Sequence, residues 1–122
     1  MSDSEMHWWS ATETAQRIAA KEVSSREVLE HMVARADRLD GPINAIVRRD
    51  LDRARATADA ADAAVMSGQE LGPFHGLPMT VKDSFQTEGC ITTSGAPELA
   101  EFVPTEDADP VRRLRDAGAV IW

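Results

Sequence analysis

Lys82 ends an alternating run, Leu77-Pro78-Met79-Thr80-Val81-Lys82, and a cluster of hydroxyls and glycine follows at Thr92-Thr93-Ser94-Gly95. A neutral lysine amine can take a proton from a hydroxyl and so activate a nucleophile. A free lysine titrates near ~10.4, so that chemistry needs burial or hydrogen bonds that favour the uncharged amine. By itself, a lysine at a strand end is a solvated cation. Asp83 is sent to the opposite face by the same alternation, so its adjacency to Lys82 is no sign of an ion pair. Composition makes Thr92-Thr93-Ser94-Gly95 a turn whose side chains bond their own backbone. Cys90 and His75 offer a thiol and a base, but no third group orients them; they read as a packed thiol and a loop histidine. His7, His31 and His75 lack ligand spacing, and none of the seven glycines falls in a phosphate-loop pattern, so no metal and no cofactor is expected.

The elements that must position Lys82 are legible from caps and periodicity. Ser10 with Glu13 forms a capping box, predicting a helix from Ala11 to about Lys21 with Trp9 packed back on its first turn. Ser24 with Glu27 repeats the signature, and Val28, Leu29, Met32, Val33, Ala36 and Leu39 recur at helical spacing until Gly41-Pro42. Residues 10–41 therefore read as a helical hairpin. Asn44-Ala45-Ile46-Val47 is short, apolar and turn-bounded, which predicts a strand. Asp50 through Met66 predicts an alanine-rich helix with Leu51, Ala54, Ala58, Ala61 and Val65 on one side and Gly68 as its stop. Its alanines suit close packing, or simply helix propensity. Leu77 to Lys82 predicts a strand in which Pro78, lacking an N–H, belongs at the start or on an edge. Asp109-Pro110 predicts an N-cap and N1 pair, with Val111 and Leu114 buried and Gly118 as the stop, before a strand begins at Ala119-Val120-Ile121-Trp122. Helices alternating with short apolar strands indicate α/β layering, here with too few strands to complete a sheet.

With 43% hydrophobic and 28% charged residues, the 122-residue chain has the composition of a folded protein. A net charge of −8 argues against a nucleic-acid surface. Cys90 is the single cysteine, which excludes an internal disulfide and fits a reducing compartment; cytoplasm is the expected location. Met1-Ser2-Asp3-Ser4-Glu5 does not open a secretory signal, and no window approaches the roughly 20 apolar residues of a membrane span.

The segment Gly72-Pro73-Phe74-His75-Gly76-Leu77-Pro78-Met79-Thr80-Val81-Lys82-Asp83 resembles the opening of the amidase signature core. The likeness continues through Gly89, Thr92-Thr93, the helix start at Asp107 to Asp109, and Arg112 to Ile121. It implies an α/β class, the N-terminal part of an α/β/α fold whose mixed sheet is covered by helices. Residues 1–122 would be the N-terminal portion of one amidase domain, with 10–41 the hairpin and 42–122 the start of the core. The implied activity is hydrolysis of amide C–N bonds by a Ser-cisSer-Lys triad, with Lys82 as the triad lysine and a small-molecule amide as substrate. Thr93, Ser94 and Gly95 would line the approach to the site. Where many relatives have serine after the glycine, this chain has Gly95-Ala96. The resemblance places both serines beyond Trp122. Ser24-Ser25 sits at a helix cap, and Ser84 and Ser94 do not match triad positions. The chain alone is therefore expected to be inactive. The alternatives are the A-type subunit of a glutamyl-tRNA amidotransferase, which works with partner subunits, and a non-catalytic truncated or interaction protein that self-associates through an unfinished sheet.

Overall fold

A computed structural model describes residues 3–122. After a 3-10 segment at Asp3–Trp8, helix α1 runs Ala11–Ala19 and helix α2 Ser25–Leu39. The Ser10 hydroxyl accepts from the Glu13 amide at 3.1 Å, one half of the predicted capping box; the other half does not form, because the Glu13 carboxylate takes Arg17 at 2.8 Å. Helix α1 stops short of Lys21 because that residue turns left-handed at φ 62°, and the Lys21 and Glu22 amides fold back on the carbonyls of Ile18 and Arg17. Trp9 meets α1 beyond its first turn: the guanidinium of Arg17, in the last turn, lies 4.5 Å from its ring centroid. At α2 both halves of the capping box form, with the Glu27 amide on Ser24 Oγ at 3.0 Å and the Ser24 amide on Glu27 Oε2 at 2.8 Å.

Helix α3, Leu51–Met66, lies against α2. Ala54, Ala58 and Ala61 are buried in the contact, so the small side chains serve close approach. Leu29, Val33, Ala54, Ala58, Val120 and Trp122 form one cluster, while Met6, Ile18, Val28 and Val65 form a second. Asp62 of α3 reaches the free amides at the start of α2, accepting from Ser25 N at 2.6 Å and Arg26 N at 3.1 Å. Ser25 is wholly buried and its hydroxyl donates to the Gly76 carbonyl at 2.6 Å, which pins the loop preceding the sheet to the helices.

Outside this contact Glu30 accepts from Arg26 Nε at 2.8 Å and from Arg55 Nε at 2.7 Å, and Arg26 also reaches Asp59. Hydrogen bonding to Arg55, reinforced by Arg26 and opposed by partial desolvation, holds the Glu30 carboxyl at about 2, below its ordinary 4.5. A depressed carboxylate contributes stability above the unfolded value and loses it as pH falls through the folded one. Because its side chain is 39% exposed, the contribution is screened to under ~1 kcal/mol. Glu30→Gln will therefore lie slightly below the parent in urea melts at pH ~5, and the two will converge by pH ~2. A constant gap across that window would show that the loss is one of packing and not of charge.

The sheet described consists of β1, Pro78–Met79, and β2, Val120–Ile121, paired in parallel with Pro78 opposite Val120 and Met79 opposite Ile121. Pro78 opens its strand, where the missing N–H does no harm. Pairing ends at Met79, so the expected strand to Lys82 is shorter than the alternation suggests, although Trp122 N still donates to Met79 O at 3.1 Å. Asn44 to Val47 is not a strand. Asn44 is left-handed at φ 53°, and the Asp40 carboxylate takes the amides of Ala45 and Ile46, donors that a ladder would need. A 3-10 turn, Pro97–Leu99, precedes helix α4, Asp109–Asp116. Its N-cap is Ala108, one residue earlier than predicted, because the Asp109 carboxylate is turned to Arg112 at 2.8 Å. Val111 is buried as expected and Leu114 is half-buried. Among the described residues no helix is long and apolar enough to cross a membrane.

Candidate active site

Lys82 lies just past the carboxyl end of β1, at the mouth of a cleft of about 420 Å³. Ligands of α/β sheets bind at the carboxyl ends of their strands. Ile46, Phe85, Cys90, Thr92, Ile121 and Trp122 contribute to its walls. Lys82 is exposed and forms no ion pair among the described residues. Asp83 fixes its position. One carboxylate oxygen accepts from the Thr93 amide at 3.0 Å and the other from the Thr93 hydroxyl, while the Asp83 carbonyl accepts from the Ser94 amide at 2.8 Å. The Thr93 hydroxyl then accepts from the Gly95 amide at 3.1 Å. Ser94 and Gly95 both adopt positive φ, 51° and 74°, so the predicted turn is a left-handed pair that glycine tolerates best.

The sequence-predicted residues are thus brought together in part. Lys82 and Thr92 line the cleft, whereas Thr93, Ser94 and Gly95 stand behind Asp83 and reach Lys82 only through it. Thr92 is buried, its hydroxyl donating to the Cys90 carbonyl at 3.1 Å. The clamping role of Asp83 is absent from a periodicity argument, which places it away from Lys82 but names no partner. Also unforeseen is the convergence of Arg48, Arg53 and Arg115 on the cleft from two parts of the chain, the start of α3 and the end of α4.

Cys90 and His75 are separate: Cys90 lines the cleft, whereas His75 Nε2 donates to the Ala61 carbonyl at 2.9 Å and ties its loop to α3. Burial, then the charge of Asp50, pushes the Cys90 thiol up, away from the nucleophilic thiolate. Ser24 and Ser25 serve α2, and no serine lines the cleft among the described residues.

Parallel strands beneath a helical layer, with a lysine leaving a strand's carboxyl end, define an α/β protein. A family model described as Amidase matches residues 27–122. An acylamidase of Rhodococcus erythropolis is 40% identical across 98% of this chain and 25% of its own length. The A-type subunit of the glutamyl-tRNA(Gln) amidotransferase of Moorella thermoacetica is 40% identical across 96% of this chain and 24% of its own length. Among solved structures, a fatty acid amide hydrolase matches with a TM-score of 0.89 at 28% identity, over 98% of this chain and 21% of that one. The chain belongs to the amidase signature family. It spans about a quarter of the length of the relatives it matches.

Proposed function

We propose that the chain supplies the lysine arm of an amide C–N hydrolase, with residues 1–122 as the N-terminal portion of one amidase domain. The observation that carries this is Lys82 at the carboxyl end of β1, facing a cleft and held through Asp83 by the Thr93 turn. In the reaction, Lys82, exposed here and requiring the rest of the domain to cover it before its uncharged amine is favoured, accepts a proton relayed by a bridging serine from the nucleophilic serine, whose oxygen attacks the amide carbonyl. The proton returns to the departing nitrogen as the C–N bond breaks, and water then releases the carboxylate from the acyl-enzyme by the same relay. Thr93, Ser94 and Gly95, outside the cleft wall, serve by holding Asp83 and so the segment that carries Lys82. Among the described residues no serine lines the cleft, so these residues alone supply a base without a nucleophile.

Residues 1–122 on their own will release no arylamine from a simple aryl amide above the buffer rate. Turnover that disappears in Lys82→Ala would place a working nucleophile within these residues and overturn the proposal. The equal identity to the Moorella protein supports a second reading, a glutamine-hydrolysing subunit that works with partners.

A further inference from the structure

We propose that His7 and His31 form a pH-operated latch: protonation of the pair releases the segment Asp3–Trp8 from helix α2 and uncovers the apolar groove that Met6 fills. None of these residues lines the cleft beside Lys82, so the latch stands or falls apart from the hydrolase reading.

The segment lies against α2, and two neighbouring side chains show how it is held. Met6 is buried among Ile18, Val28 and Val65, which come from α1, α2 and α3. Beside it, His7 Nδ1 stands 3.2 Å from His31 Nε2, with the two rings stacked at 9° and their centroids 5.4 Å apart. One of those nitrogens must carry the hydrogen and the other a lone pair, so the bond requires at least one neutral ring. With both rings protonated, two N–H groups face each other and two parallel cations are in contact.

The surroundings make protonation more costly still. Partial desolvation, then the positive charges of Arg35, His31 and Arg38 on α2, holds His7 below its ordinary 6.5. No ion pair among the described residues neutralises His7, His31, Arg35 or Arg38. The carboxylates of the packed helices are engaged elsewhere: Glu27, one turn before His31, by the Ser24 amide, Glu13 and Glu22 by Arg17, and Asp62 by the amides of Ser25 and Arg26. Glu5, on the segment itself, is exposed. The released segment therefore takes up a proton that the docked one resists. Docking is complete above about 6.5 and weakens as pH falls below that value. Ser10 stays in place as the cap of α1, so the segment swings about Trp9 and Ser10 and draws Met6 out of its groove.

Methyl NMR of the 122-residue chain tests the latch directly. Cross-relaxation between the Met6 methyl and those of Ile18 and Val28 is expected at pH ~7.5 and should fall several-fold, reversibly, by pH ~5. Contacts of Leu29 and Val33 with Val120, in the other cluster, should persist across the same range. High salt should weaken the release, because it screens Arg35 and Arg38. His7→Gln combined with His31→Gln, a pair that hydrogen-bonds without titrating, should keep Met6 docked at both pH values. Where that pair does not dock at pH ~7.5, Arg35→Gln decides: release at a lower pH than in the parent supports the latch, and release at an unchanged pH overturns it. Met6 contacts that survive at pH ~5 in the parent, or that are lost there in a docked glutamine pair, overturn it as well. So does loss of the Val120 contacts together with those of Met6, which is general acid unfolding.

Discussion

Gly118→Ala will destabilise this domain by about 3 kcal/mol or more, a large share of the ~5–15 kcal/mol that holds a domain of this size together. Gly118 joins α4 to β2 at φ +97°, and an added Cβ would stand 2.6 Å from the Cα and 3.0 Å from the N of His75. Those are backbone atoms, so no rotamer change relieves the overlap. Neither segment is free to retreat. Phe74 N donates to Ala117 O at 2.9 Å, Gly76 N to Gly118 O at 2.8 Å, and the strands pair immediately afterwards. Gly68 supplies the control, because it has φ +72° and nothing within 4 Å of its added Cβ. Gly68→Ala therefore incurs only the left-handed backbone cost of about 1 kcal/mol. Thermal melts should place Gly118→Ala ~10 °C or more below the parent and Gly68→Ala only a few degrees below. Equal shifts would mean that the close approach of residues 75 and 118 contributes nothing.

The same close approach shows where sequence reasoning stops. Glycine at 118 is legible as a helix stop from its place after the last periodic residue, and its second role, making room for His75, depends on a segment more than a helix away in sequence. Helices α1, α2 and α3 were legible because their caps and apolar spacing are local: Ser10 and Ser24 bind amides three residues ahead, as their patterns require. What failed was decided by which near partner a carboxylate takes, which apolar spacing does not record. Asp40 takes the amides that would have made Asn44 to Val47 a strand, and Asp109 holds Arg112 instead of capping its own helix. Asp62 completes the cap of α2 from another helix, and Ser25, identified only as part of a cap, proves to be a buried strut to Gly76.

The site divides in the same way. Lys82 stood out because an alternating run ends on it and because the surrounding residues resemble a family motif. Asp83 and Arg48, Arg53 and Arg115 carry no local signature, since they come together only when three separate stretches fold onto one cleft. A guanidinium never gives up its proton, so among the cations lining the cleft the lysine is the one able to act as a base.

Joined at Trp122 to the remaining residues of the Rhodococcus acylamidase, residues 1–122 should yield a chain that hydrolyses a simple aryl amide, and Lys82→Ala should lower its kcat by about 10⁴-fold with little change in KM. The size follows from triads in other hydrolases, where loss of one member of the relay removes most of the acceleration and leaves the part due to binding and oxyanion donors. Lys82→Arg should not rescue, because a guanidinium keeps its proton and cannot serve as the base. Lys82 makes no ion pair among the described residues, so a chimera variant that melts with its parent has lost chemistry and not folding. Retention of kcat within tenfold in Lys82→Ala would remove Lys82 from the relay. Full activity in Lys82→Arg would leave the residue only the part of a fixed positive charge, for which the cleft already has three arginines.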